Sequence, residues 1–97
     1  MFTGIIETMG TIKHNEHEGS NVHYTLSSEI TNELKIDQSL AHNGVCLTVI
    51  AINNDQYTVT AIQETLEKTA LKQWQVGHKI NLERAMRLGD RLDGHMV

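Results

Sequence analysis

The sequence predicts an all-β domain closed into a small barrel. Three observations carry that expectation. Apolar residues recur with a period of two in several short runs, turn-forming residues separate the runs, and a chain of 97 residues suits one domain with a modest core. Five or six short strands at this spacing fit a closed antiparallel barrel, which leaves no exposed sheet edge.

In chain order, the first stretch runs from Phe2 to Lys13 and is closed by Glu18-Gly19-Ser20-Asn21. Val22, Tyr24 and Leu26 then alternate with His23, Thr25 and Ser27. Val45, Leu47, Val49 and Ala51 alternate with Cys46, Thr48 and Ile50. Tyr57, Val59 and Ala61 alternate with Thr58, Thr60 and Ile62, and Ile80 and Leu82 with Asn81 and Glu83. Such alternation marks half-buried strands, and Val, Ile, Thr and Tyr suit a pleated surface. His42-Asn43-Gly44 reads as a turn, Asn53-Asn54-Asp55 as a hairpin loop, and Gln75-Val76-Gly77 leads into the last strand. Two segments read as short helices: Ser28 to Leu34, with Ser28 as N-cap, and Glu64 to Trp74, where Leu66, Ala70 and Trp74 form one stripe. There is no evident internal repeat, linker or low-complexity tract, and 87–97 reads as a loop.

Composition narrows the function classes. The net charge is -4 with no basic run, which argues against nucleic acid and anionic membranes as partners. The lone Cys46 gives no disulfide framework and fits a reducing compartment. No apolar run approaches a membrane span, and the opening Met1-Phe2-Thr3-Gly4 lacks the features of a secretory signal. A cytoplasmic location is expected.

If Val45, Leu47 and Val49 fill the barrel, Cys46 and Thr48 face outward. On the next, antiparallel strand Thr60 and Ile62 do the same. Together these four would line a shallow outer groove of hydroxyls, a thiol and an aliphatic floor, suited to a flat heterocycle with a polyol tail. The same pattern also describes an ordinary solvated face carrying Thr for its β-propensity. Cys46 reads either as a small packed thiol or as a nucleophile activated by a neighbour such as His42. Glu64 and Thr65 stand where a strand hands over to a helix. They read as helix-start residues or as polar groups offered to a ligand, beside backbone N–H groups free at the helix start. His14 and His17 sit among Asn15, Glu16 and Glu18 in what reads as a solvated polar turn, so no metal site is expected. His23, His78 and His95 are isolated in sequence. Glu83, Arg84 and Arg87 read as surface charges.

The residues also carry a resemblance. Met1-Phe2-Thr3-Gly4-Ile5-Ile6-Glu7, Asn43-Gly44-Val45-Cys46-Leu47-Thr48-Val49, Glu64-Thr65-Leu66-Glu67-Lys68-Thr69, Ile80-Asn81-Leu82-Glu83-Arg84-Ala85 and Arg91-Leu92-Asp93-Gly94-His95-Met96-Val97 resemble, in order, motifs of the riboflavin synthases. Asp93 departs from the family's usual Gly, and Val45 stands where some members have a second Cys. The resemblance implies a six-stranded antiparallel Greek-key barrel with one or two short helices, the N-terminal half of a two-barrel parent whose second barrel is absent here. It implies an enzyme that dismutates two molecules of 6,7-dimethyl-8-ribityllumazine into riboflavin and 5-amino-6-ribitylaminouracil. No metal or organic cofactor is required, and riboflavin is the bound product. A non-catalytic lumazine- or flavin-binding protein of the same fold is the alternative.

In the family the site lies between this barrel and the C-terminal barrel of a neighbouring subunit in a homotrimer. The resemblance places ligand contacts at Gly4, Ile5, Ile6, Val45, Cys46, Leu47, Thr60, Ala61, Ile62, Gln63, Glu64 and Thr65. Ser39 and Thr48 are further polar candidates, with Cys46 and Ser39 the candidates for a catalytic part. The single barrel is expected to be inactive or nearly so, and to pair as a homodimer.

Overall fold

The computed structural model describes residues 8–84. Six strands, β1 (Thr8–Glu18), β2 (Asn21–Ser27), β3 (Ser39–His42), β4 (Val45–Asn53), β5 (Gln56–Ala61) and β6 (Lys79–Arg84), close a barrel in the order β1-β2-β5-β4-β3-β6. Every pairing is antiparallel. One α-helix, α1 (Gln63–Lys68), and two 3₁₀ turns, Thr31–Glu33 and Leu71–Gln73, cover the barrel's connections.

The inward-facing set fills the interior: Ile12, Leu26, Leu40, Val49, Val59 and Leu82 are fully buried. Trp74 meets Tyr24 edge-on at 5.2 Å, and Tyr24 Oη donates to the Leu71 carbonyl at 2.6 Å, so one ring supplies both apolar packing and a satisfied polar tip. Val22, Tyr24, Leu26, Tyr57, Val59 and Ala61 are all buried as the alternation predicts.

Several expectations are corrected. His42 is not in a turn. It is the last residue of β3, a short strand whose Leu40, Ala41 and His42 are buried in succession, so no period of two announces it. The turn proper is Asn43-Gly44, with both residues at positive φ (50° and 86°), as a two-residue hairpin requires. His14, Asn15, Glu16 and His17 belong to β1, paired with β2. Ala51 is exposed because the β4–β5 register shifts between Val49 and Ala51, which inserts Ile50 and turns the following residues over. Ser28 caps nothing: the first helical segment is only the 3₁₀ turn Thr31–Glu33, and Ser28 Oγ bonds Thr31 Oγ1 at 2.8 Å. The second helix stops at Lys68. Thr69 Oγ1 donates to the Thr65 carbonyl and accepts from Leu71 N, leaving Ala70 exposed. Glu83 is buried rather than a surface charge, and Arg84 pairs with Glu33 at 3.0 Å.

The sequence shows no repeat, yet the backbone does. Strand, strand, 3₁₀ turn, strand occurs twice, the second time with α1 inserted. In the first half Asp37 N donates to Val49 O and Val49 N to Gln38 O (2.8 and 2.9 Å). In the second, Gly77 N donates to Ile12 O and Ile12 N to His78 O (2.7 and 2.9 Å). Val49 and Ile12 each begin a register shift. Both turns need a residue at positive φ, and Asp37 and Gly77 supply it.

Candidate functional site

The β4–β5 ladder runs from Asn53↔Gln56 to Val49↔Val59 and ends there. Beyond it, β4 continues paired with β3 through Val45 to Thr48, and β5 continues paired with β2 to Ala61. Where the two strands lose their common ladder, Leu47 and Ala61 turn into the core. Cys46, Thr48 and Ile62 are exposed on the outer side and Thr60 is half-buried there. Of the four residues expected to line an outer groove, Cys46, Thr48 and Thr60 therefore lie on the outer side of the two strands that flank the end of the ladder, and Ile62 follows the last residue of β5. Ile62, 52% exposed, is the apolar member. Ser39 lies opposite Thr48 on β3, and Val45 is half-buried opposite His42.

Helix α1 follows directly. Its N-cap is Ile62, in extended conformation and without a side-chain cap bond. The first turn therefore presents Gln63 and Glu64, with Leu66 N closing onto the Ile62 carbonyl at 3.0 Å. Glu64 is tied to Lys68 at 3.2 Å and Gln63 to Glu67 at 3.0 Å, both exposed contacts one helical turn apart. Thr65 is half-buried. Gly4, Ile5 and Ile6 lie outside the described residues.

His42 cannot activate Cys46. It sits inside the barrel while Cys46 is an exposed free thiol on the outside. The His42 Nδ1–H donates to the Leu40 carbonyl at 2.9 Å, so Nε2 accepts from Tyr57 Oη, also at 2.9 Å. Burial pushes the imidazole down from 6.5 to about 4 and raises the Tyr57 hydroxyl. This pair is a satisfied core network.

Another histidine does reach one of these residues, Thr60. His23, isolated in sequence, lies opposite Thr60 across the β2–β5 ladder. Its Nδ1 is 2.7 Å from Thr60 Oγ1 and its Nε2 2.6 Å from Glu18 Oε1. No spacing signal joins residues 37 positions apart, so only strand register reveals the contact. A shallow pocket of about 370 Å³ lies elsewhere, lined by Asn43, Ala70, Gln73, Trp74, His78, Lys79 and Ile80; it contains none of the predicted site residues. Among the described residues no group of three or more His, Cys, Asp or Glu could hold a metal, and no helix is long and apolar enough to cross a membrane.

Residues 3–85 match the lumazine binding domain family. The chain belongs to that family. This lumazine-binding domain is 41% identical to the riboflavin synthase of Bacillus amyloliquefaciens over 98 residues, covering all of this chain and 46% of that protein. It thus spans about half the length of the curated relatives it matches. Its fold superposes on LumP complexed with 6,7-dimethyl-8-(1'-D-ribityl) lumazine with a TM-score of 0.83 and 26% identity, covering 93% of this chain and 51% of that one. LumP complexed with riboflavin gives 0.81 at 26% identity, covering 92% and 51%.

Proposed function

We propose that this lumazine-binding domain holds 6,7-dimethyl-8-ribityllumazine and riboflavin in the outer groove at the end of the β4–β5 ladder. Cys46, Thr48, Thr60 and Ile62 line it, Ser39, Val45, Leu47 and Ala61 flank it, and Gln63, Glu64 and Thr65 stand at its α1 end. The observation that carries the reading is the family match, together with a barrel shared with LumP complexes of both ligands. On this reading Gly4, Ile5 and Ile6 complete the contacts.

The same reading makes the domain the N-terminal half of a cytoplasmic riboflavin synthase. There, two lumazines stacked between this barrel and the C-terminal barrel of a neighbouring subunit in a homotrimer exchange a four-carbon unit. One becomes riboflavin and the other 5-amino-6-ribitylaminouracil. The protein's part is chiefly proximity: two rings held face to face make a bimolecular step effectively intramolecular. The acidic C7 methyl of the substrate asks only for a modest base and donors aimed at the ring carbonyls. Neither a metal nor an organic cofactor enters. On this reading Cys46 and Ser39 are the groups of this half that touch the reacting rings. A non-catalytic lumazine carrier would share the groove. The higher identity to riboflavin synthases (41% against 26% for LumP) favours the enzyme.

Titrating riboflavin with the 97-residue chain tests the binding, read by flavin fluorescence. Saturable change is expected, with little or no turnover of the lumazine by this half alone. Fluorescence untouched by a large excess of folded protein would overturn the assignment.

A further inference from the structure

The groove's Thr60 is not an independent hydroxyl. The β1–β2 hairpin closes through the two-residue loop Gly19-Ser20, which sets Glu16 opposite His23 and leaves Glu18 diagonal to it. Val22 and Tyr24 point into the core, so His23 stands on the outer face. There the β2–β5 register brings it against Thr60. The result is a three-membered chain from the hairpin to the groove: the Glu18 carboxylate, both nitrogens of His23, and Thr60 Oγ1.

Proton accounting gives this chain a direction. An ionised carboxylate only accepts, so the His23 Nε2–H donates to Glu18. In the neutral ring Nδ1 is then the acceptor, and the Thr60 hydroxyl must donate to it. That uses the only proton Thr60 has and leaves its oxygen lone pairs for the groove. Two residues along the same ladder, Thr25 and Thr58 meet hydroxyl to hydroxyl at 3.0 Å with no such bias. The direction at Thr60 is imposed by Glu18 and His23, not by the strand pairing.

Resting on the groove reading above, we propose that Glu18 and His23 are positioning residues that fix Thr60 as a hydrogen-bond acceptor. At this point the site selects a ligand that presents an N–H or O–H donor. Riboflavin carries both kinds, in its ring N3–H and its ribityl hydroxyls. His23 covers the β2 side of Thr60, so the acceptor faces β4, where Thr48 and Cys46 form the other wall.

The test uses the 97-residue chain with riboflavin, N3-methylriboflavin and lumiflavin, which lacks the polyol. ¹⁵N NMR of the unaltered protein above neutral pH should show His23 as the Nε2–H tautomer. Thr60→Val and His23→Ala should each weaken riboflavin roughly fivefold, the worth of one ordinary hydrogen bond. The double variant should lose no more than either alone. His23→Gln, whose amide oxygen can accept the Thr60 proton, should stay within about twofold of the parent, a rescue that a merely structural role would not give. The His23→Ala loss should vanish with whichever analogue lacks the donor that Thr60 receives. An Nδ1–H tautomer, unchanged affinity in His23→Ala, or an equal loss on all three ligands would overturn the inference while the groove reading stands. Failure of the unaltered chain to bind riboflavin would remove the groove reading and this inference with it.

Discussion

Replacing His42 with glutamine should remove much of the domain's sensitivity to mild acid. The imidazole is fully buried between the Leu40 carbonyl and Tyr57 Oη, and burial pushes it from 6.5 to about 4. In the unfolded chain the ring takes up a proton near its ordinary value; in the fold it resists until about pH 4. The unfolded state therefore binds more protons across that window, and stability falls as pH falls, levelling below about 4. At ~1.4 kcal/mol per pH unit the window is worth roughly 3 kcal/mol, a large share of a small domain's margin. The assay is urea unfolding at steps from neutral pH to pH 4, taken as the difference between the two proteins so that carboxylates common to both cancel. At neutral pH the parent should be the more stable by about 1–3 kcal/mol, since glutamine leaves part of the network unpaired. That lead should shrink by roughly 3 kcal/mol by pH 4. A difference that stays constant with pH would show that the ring protonates as easily inside the barrel as outside, and would refute the reasoning.

Two further outcomes follow from the surface. Ile62→Asp places a charge at an exposed apolar side chain assigned to the proposed groove. It should weaken riboflavin by about tenfold or more while shifting unfolding by no more than ~0.5 kcal/mol, and equal affinity in a folded variant would count against the groove. Met9, Ile36, Ile50, Ile62 and Val76 are large exposed apolar side chains, and such surface tends to find a partner. Sedimentation at several concentrations should show a dimer, and a monomer throughout would contradict this.

The sequence was most legible where a strand keeps its pleat unbroken. Val22 to Leu26 and Tyr57 to Ala61 bury the residues their alternation names. It failed where local geometry breaks the period. Ile50 is an extra residue on β4, and nothing in its identity marks it as a bulge. β3 buries three residues in succession, so its strand character comes from lying between β4 and β6. The apolar stripe of Leu66, Ala70 and Trp74 suggested a continuous helix, yet Thr69 redirects the chain by bonding Thr65 and Leu71 with its own side chain. At the site, Cys46, Thr48 and Thr60 could be read as outward-facing because they sit on consecutive strands, with Ile62 one residue beyond the second. His23 could not be read as Thr60's partner, because that contact depends on which non-consecutive strands pair. The backbone repeat leaves no sequence signal for a related reason. Leu34 and Trp74, or Asp37 and Gly77, do the same work with different side chains.

That repeat has a consequence for how the chain comes together. The turn at Asp37 is fastened to Val49 in the other half, and the turn at Gly77 to Ile12 in the first. β1 pairs with β6, β2 with β5, and β3 with both β4 and β6, so every strand has a neighbour in the other half, and the turns clasp β1 and β4 across the boundary as well. Neither half has a closed form of its own. The ordering entropy of one must be met before the contacts of the other repay it, which makes the whole barrel a single cooperative unit. A chain opened at the Asn43-Gly44 hairpin would give two pieces that are templates for each other, each completing the sheet the other lacks.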